Sequence, residues 1–140
     1  MNYWLLKTEP ETFSWNDLIK QGTSMWDGVR NFQARNNLRK MKVGDIAFFY
    51  HSGKKPCIVG LAEIIKEHYP DPTAKEGDWS VVEVNPIREL QRSISLQEIK
   101  QIKALQNMSL VNSSRLSVQP VLPEEFNIII EAEKNSALIF

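Results

Sequence analysis

The chain has 140 residues, 42% hydrophobic and 24% charged, which fits one globular domain with its own core. No apolar run approaches the roughly 20 residues a bilayer-spanning helix needs. A single cysteine, Cys57, excludes an internal disulfide, and with only His51 and His68 beside it a four-ligand structural zinc site is not expected.

Met1 to Lys7 is aromatic and aliphatic and reads as a first strand, closed by the turn-like Thr8-Glu9-Pro10. Lys7 and Glu9 interrupt the apolar start, so no secretory leader is expected. Ser14-Trp15-Asn16-Asp17 has the form of a capping box, opening a short helix to about Gln21 that Gly22 stops. Trp26-Asp27-Gly28 signals a bend. Asn31 to Met41 suits a helix, with Ala34, Leu38 and Met41 as an apolar stripe and Arg35, Arg39 and Lys42 as a basic stripe beside it. Val43-Gly44-Asp45 turns into a strand over Ile46 to His51, and Ser52 to Pro56 reads as a hairpin-like loop before a strand from Cys57 to Ile65.

Glu67 to Asp78, with Pro70, Pro72 and Gly77, reads as a loop. Two more strands are expected at Trp79 to Val84 and near Ile87 to Gln91. Ser95-Leu96-Gln97-Glu98 is a stronger capping box, opening a helix to about Leu105. Leu116 to Val121 alternates, so Leu116 and Val118 point one way and Ser117 and Gln119 the other. Pro123-Glu124-Glu125 starts a last helix carrying Phe126, Ile129 and Ile130. A tail from Ala132 to Phe140 follows, ending in the apolar Ala137-Leu138-Ile139-Phe140. About six short strands with inserted and flanking helices make an α+β domain, either a curled sheet or a small open barrel.

Net charge is zero, with 17 basic and 17 acidic residues. Their distribution is uneven. Gly28 to Ala62 holds seven bases and one acid, Asp45, whereas Glu63 to Asn85 holds six acids and two lysines. Either the basic stretch is a solvated surface or it holds a phosphate backbone. Nucleobase recognition needs a stacking wall, polar groups for base edges and cations for the backbone. Of four tryptophans, Trp79 and Trp15 read as packing, while Trp4 and Trp26 stand nearer polar residues. Asp27 serves either as a polar group in a site or as a cap for the following helix. His51 and Ser52 are strand neighbours pointing to opposite faces, which does not make a catalytic pair. Cys57 opens an apolar strand and reads as a small buried hydrophobe. No nucleophile elbow, phosphate-cradling glycine loop or H-E-x-x-H motif is present, so no catalytic residues are expected.

Four blocks go beyond generic signals. Tyr3-Trp4-Leu5-Leu6-Lys7-Thr8-Glu9-Pro10, Trp26-Asp27-Gly28-Val29-Arg30-Asn31-Phe32-Gln33-Ala34-Arg35-Asn36, Phe49-Tyr50-His51-Ser52 and Arg115-Leu116-Ser117-Val118-Gln119-Pro120-Val121 together resemble the EVE domain family. Met41 to Asp45 and Tyr69-Pro70-Asp71 also fit. The resemblance implies a PUA-like pseudo-barrel over residues 1–131, followed by the 132–140 tail, and kinship with the YTH readers of methylated RNA. It implies a non-enzymatic module with no cofactor, whose pocket takes a flipped modified base, such as methylated or hydroxymethylated cytosine in DNA. The alternatives are a modified base in RNA, or a free nucleoside or metabolite bound or turned over in the same pocket.

By position, Trp4, Lys7 and Thr8 would flank that pocket and Trp26 would be its aromatic wall. Asp27 and Asn31 would offer edge hydrogen bonds or brace the wall, and Arg30 would meet phosphate or base. Tyr50, His51 and Ser52 would form the rim, and Ser117 and Gln119 the floor. Helix spacing adds Arg35, Arg39 and Lys42 as phosphate contacts. Trp26→Ala is expected to weaken binding in a protein that still folds. No membrane role is expected, and the location would be cytoplasmic, with the nucleoid open and the nucleus for a eukaryotic chain.

Overall fold

The structure, a computed structural model, describes residues 1–136; the apolar end at 137–140 lies outside the described residues. The strands are β1 (Tyr3–Thr8), β2 (Ser24–Met25), β3 (Ile46–His51), β4 (Cys57–Pro70), β5 (Ser80–Ser95) and β6 (Val118–Val121). The helices are α1 (Trp15–Gln21), α2 (Phe32–Lys40), α3 (Leu96–Gln101), α4 (Ser109–Asn112) and α5 (Pro123–Ala132). The domain is α+β as expected, built on one mixed sheet of order β2-β5-β4-β3-β1-β6. Only β1 and β3 are parallel neighbours; the other described pairs are antiparallel. The sheet is open, and α2 packs on β6, β5 and β4, bridging its two sides where strand pairing does not close them.

Among the described residues the count of six strands is reached by a different route from the expected one. β4 continues through Ile65 to Pro70, and one 16-residue β5 replaces two short strands. Proline signals suggested breaks, but Pro70 is the last residue of β4, and Pro86 pairs with Ala62 at one of the register shifts that let this long hairpin bend. The missing strand is the two-residue β2, paired with Ser24 opposite Val84. β6 begins at Val118, not Leu116, and α3 ends at Gln101 before a separate 3-10 turn, Lys103–Leu105. α4 carried no legible signal.

Alternation along the strands sends residues to two cores. Trp4, Leu6, Ala47, Phe49, Ala62 and Ile64 join Trp15, Leu18, Leu38 and Met41 on one face. Leu5, Phe48, Tyr50 and Leu61 join Ile99, Leu105, Leu110 and Ile129 on the other. Local signals fix the helix ends: the Ser14 and Ser95 side chains accept from Asp17 N and Glu98 N, and Gly22 closes α1 at φ +83°. Trp15 lies flat against the backbone of Gly60, where a Cβ would come 2.6 Å from the indole. Past α5 the chain stays on the body, since Glu133 accepts from Arg88 Nη2 (2.6 Å) and Gln91 N (2.7 Å).

Candidate functional site

The Trp26–Asn31 segment leaves the sheet edge and enters α2, and each step has a separate anchor. Trp26 N donates to Val82 O (2.8 Å), extending the short β2 pairing. The Trp26 ring is 7% exposed and meets Phe13 and Phe49 edge-to-face, at centroid distances of 6.2 and 5.6 Å. Gly28 turns the chain at φ +78°, a conformation that a side chain would strain. Asp71 lies beneath this turn, accepting from Gly28 N (3.0 Å), Arg30 Nη1 (2.9 Å) and Thr73 N (2.8 Å). Burial pushes the Asp71 carboxyl up, but the hydrogen bonds from Thr73, Arg30 and Gly28 outweigh it and hold the pKa down at about 2. Asn31 caps α2 by accepting from Ala34 N (2.9 Å). The capping role weighed for Asp27 therefore belongs to Asn31, whose side-chain oxygen is engaged by the backbone.

This geometry borders a cavity of about 510 Å³, within the usual range of ligand sites. Its wall includes Trp26, Phe13 and Met25, with Lys7, Thr8, Asp27, Arg30 and Ser117 supplying polar groups. Asp27 is exposed and its carboxylate has no hydrogen-bond partner among the described residues. Lys7 Nζ donates to Ser114 O (2.8 Å) and stands 5.6 Å from the Tyr50 ring centre. Partial burial pushes its ammonium pKa down. Thr8 Oγ1 donates to Phe13 O (3.0 Å), fixing the loop that carries Phe13.

Other expected pocket residues sit elsewhere. Trp4 is 4% exposed within the core and donates Nε1 to Asp45 Oδ2 (3.0 Å), so it holds the turn before β3 and does not reach the cavity. Tyr50 packs in the opposite core, where burial pushes its hydroxyl up to about 12. His51 Nε2 accepts from Trp15 N (3.0 Å), so the imidazole holds the start of α1, and burial lowers its pKa. Ser52 donates its backbone N–H to Thr8 O (2.9 Å). Gln119 is fully buried and donates Nε2 to Ser113 O and Leu116 O, both 2.9 Å; only Ser117 of the expected floor lines the cavity. Strand neighbours alternate between faces, so adjacency in sequence scattered these groups.

The basic stripe is also altered by folding. Arg39 pairs with Asp78 (2.7 Å) and Lys42 with Glu67 (3.7 Å), while Arg30 pairs with Asp71. Segregation of charge in sequence is thus partly cancelled in space. Arg35 differs: it donates to Asp78 O (3.1 Å) and Asn36 Oδ1, and it pairs with no carboxylate among the described residues. Trp79, expected in the core, is half-buried and stacks on the exposed Phe32 (5.3 Å, 12°). The sequence assigns no role to Phe32, Phe13, Met25 or the brace at Asp71; Phe32 and Asp71 stand within the matching blocks, while Phe13 and Met25 carry no local signal.

Comparisons with known proteins bear on this geometry. Residues 2–132 match the family described as the EVE domain. The Mus musculus protein Thymocyte nuclear protein 1 is 46% identical, over 95% of this chain and 74% of its own length. The crystal structure of human THYN1 protein in complex with 5-methylcytosine containing DNA superposes with a TM-score of 0.91 at 41% identity, covering 97% of this chain and 99% of that one. The YTH domain of Zygosaccharomyces rouxii MRB1 protein, in complex with N6-methyladenosine RNA, has a TM-score of 0.61 at 18% identity over 98% and 90% of the two chains, a likeness of fold.

Proposed function

Because this chain belongs to the EVE domain family, we propose that it binds nucleic acid without chemically changing it and takes a modified base into the Trp26 cavity. The observation that carries this reading is the convergence of an aromatic wall, a free carboxylate and two cations on one hollow. The human THYN1 complex with 5-methylcytosine DNA supports the choice of ligand. Trp26, Phe13 and Met25 form an apolar surface for the base and its extra methyl group. Asp27 accepts from the exocyclic amine of cytosine, a pairing that carboxylates make with that group. Lys7 and Arg30 meet the carbonyl oxygen of the base or the neighbouring phosphate. Flipping the base out of a duplex costs a few kcal/mol, and stacking at roughly 1–3 kcal/mol per base offsets it.

The test is equilibrium binding to DNA and RNA oligonucleotides carrying cytosine, 5-methylcytosine or 5-hydroxymethylcytosine, measured across salt. Tighter binding of a modified DNA, with affinity falling as salt rises, is the expected result. Equal affinity for every base removes the modified-base reading, and release of an altered nucleoside removes the non-enzymatic one. For a eukaryotic chain, the name of the mouse relative favours the nucleus over the cytoplasm, and imaging of a tagged chain checks it.

A further inference from the structure

Beside the mouth of the cavity lies a second feature of different character. Phe32, at the start of α2, is 66% exposed, which is unusual for a phenyl ring next to a formed core. Trp79 stacks nearly parallel beneath it. The Arg35 guanidinium lies 5.0 Å from the Phe32 centre and 5.8 Å from the Trp79 centre, and the two rings are 5.3 Å apart. These three distances are nearly equal, so Arg35 stands alongside the stack and does not cover the outer face of Phe32. Arg30 approaches Trp79 at 5.6 Å and also lines the cavity, which joins the two features through one side chain.

The stack is braced from below. Gly77 passes so close to Trp79 that a Cβ would sit 2.6 Å from the indole Nε1. Arg35 is held by Asp78 O, and Arg30 by Asp71. Asp71 offsets the charge of Arg30, but Arg35 keeps its charge. An exposed flat ring, rigidly backed and flanked by an uncompensated guanidinium, matches what an unpaired base and its phosphate require. An isolated aromatic patch would suit an apolar partner equally well; the paired guanidiniums and the continuity with the cavity favour a nucleotide.

We propose that Phe32 and Trp79, with Arg30 and Arg35, form a second stacking subsite that holds a base next to the one in the cavity and grips the phosphate between them. This rests on the cavity taking a nucleobase, since the two subsites share Arg30. Phe32 supplies the stacking face, Trp79 backs it, and Arg35 meets the phosphate. The subsite reads no particular sequence, because every base has a flat face. It lengthens the footprint from one nucleotide to at least two.

The experiment compares wild type, Phe32→Ala, Phe32→Tyr and Arg35→Gln, each confirmed folded by circular dichroism. Probes are the free 5-methylcytosine nucleoside, a single-stranded DNA carrying that base, the same DNA with an abasic site on either side, and the unmodified DNA. Phe32→Ala should weaken oligonucleotide binding about tenfold, in the range expected for one lost stacked base. It should leave the nucleoside unchanged and show no further loss on the DNA whose abasic site falls at the subsite. Phe32→Tyr should restore binding, and Arg35→Gln should lower the salt dependence. Wild-type affinity of Phe32→Ala for the intact oligonucleotide overturns the subsite, as does equal loss for nucleoside and oligonucleotide. If wild type ignores the modification yet Phe32→Ala still weakens every oligonucleotide, the subsite stands and the modified-base reading falls. If wild type selects the modified base and Phe32→Ala matches it, the subsite alone falls. No binding of any nucleic acid by wild type overturns both.

Discussion

The two faces of the sheet are built from alternate residues of the same strands, yet they end differently. On the Leu5–Phe48–Tyr50 face, α3, α4 and α5 close over the sheet. Buried carboxylates there meet arginines bidentately: Arg92 with Glu98 (2.7 and 2.8 Å) and Arg88 with Glu133 (2.8 and 2.6 Å). On the Trp4–Phe49 face, α1 and α2 pack around Trp15 and Leu38 but leave a hollow beside Trp26. The charged groups near that hollow are arranged otherwise. Asp71 braces a turn from beneath, while Asp27 and Arg35 face outward without a partner of opposite charge among the described residues. One face spends its polar pairing on holding helices down, and the other leaves part of it free for a ligand.

The contrast can be broken most sharply on the closed face. Glu98→Ala leaves the Arg92 guanidinium, 22% exposed, without its carboxylate. A loss of about 3–5 kcal/mol is expected from breaking such a pair. Chemical denaturation checks this, and the folded fraction should keep its affinity for modified DNA. A parallel loss of affinity would mean that the two faces are coupled.

Asp71→Asn tests the brace on the open face. The carboxyl pKa of Asp71 is lower folded than unfolded, so its stabilisation is present above pH 4 and fades as pH falls through about 2. A shift of that size corresponds to about 2 kcal/mol at neutral pH. The variant should therefore be less stable at pH 7 and show a flatter acid limb between pH 4 and 2. Affinity should fall as well, because Gly28 and Arg30 lose their common anchor. Acid unfolding curves of the two proteins decide the matter.

Gly60→Ala should cost about 2 kcal/mol, since the added methyl meets the Trp15 indole at 2.6 Å and both backbone and ring are packed. Thermal unfolding measures it. The smallest effect concerns His51, whose folded pKa lies below its ordinary value. Its neutral form accepts from Trp15 N, so stability should decline gently as pH falls below about 6.5, and His51→Gln should remove that slope. Trp26→Ala is a poor probe of the open face. Trp26 belongs to the core as well as the cavity, and removing such a ring costs about 3–5 kcal/mol, so a loss of affinity would be mixed with a loss of stability. Trp26→Phe keeps most of the packing and is the better variant.

What was legible in the sequence followed from short-range rules. The Ser14 and Ser95 capping boxes, the α2 apolar stripe and the first and third strands were readable because their causes lie within a few residues. So was the resemblance through Trp26 to Asn31, of which Trp26 to Arg30 line the cavity and Asn31 caps α2. The bent β4–β5 hairpin was not readable, because its register shifts depend on partners as far apart in sequence as Ile58 and Ile94, and the prolines in it read locally as breaks. Nor could the sequence separate Lys7, Thr8 and Ser117, which line the cavity, from Trp4, Tyr50, His51 and Gln119, which serve packing and the backbone. All seven stand in or beside strands, and strand neighbours differ in destination by which face and which end of the sheet they meet.

Tertiary structure also decided the charges. By itself the sequence determined that bases gather over 28–62 and acids over 63–85. Only folding, by laying the end of β4 and the loop that runs on to Trp79 beside α2 and its flanks, paired Arg30, Arg39 and Lys42 with those acids. The same contact left Arg35 unpaired and lifted Phe32 onto Trp79. Composition and spacing are properties of the chain; which charges cancel is a matter of distance, and distance is settled when the sheet bends.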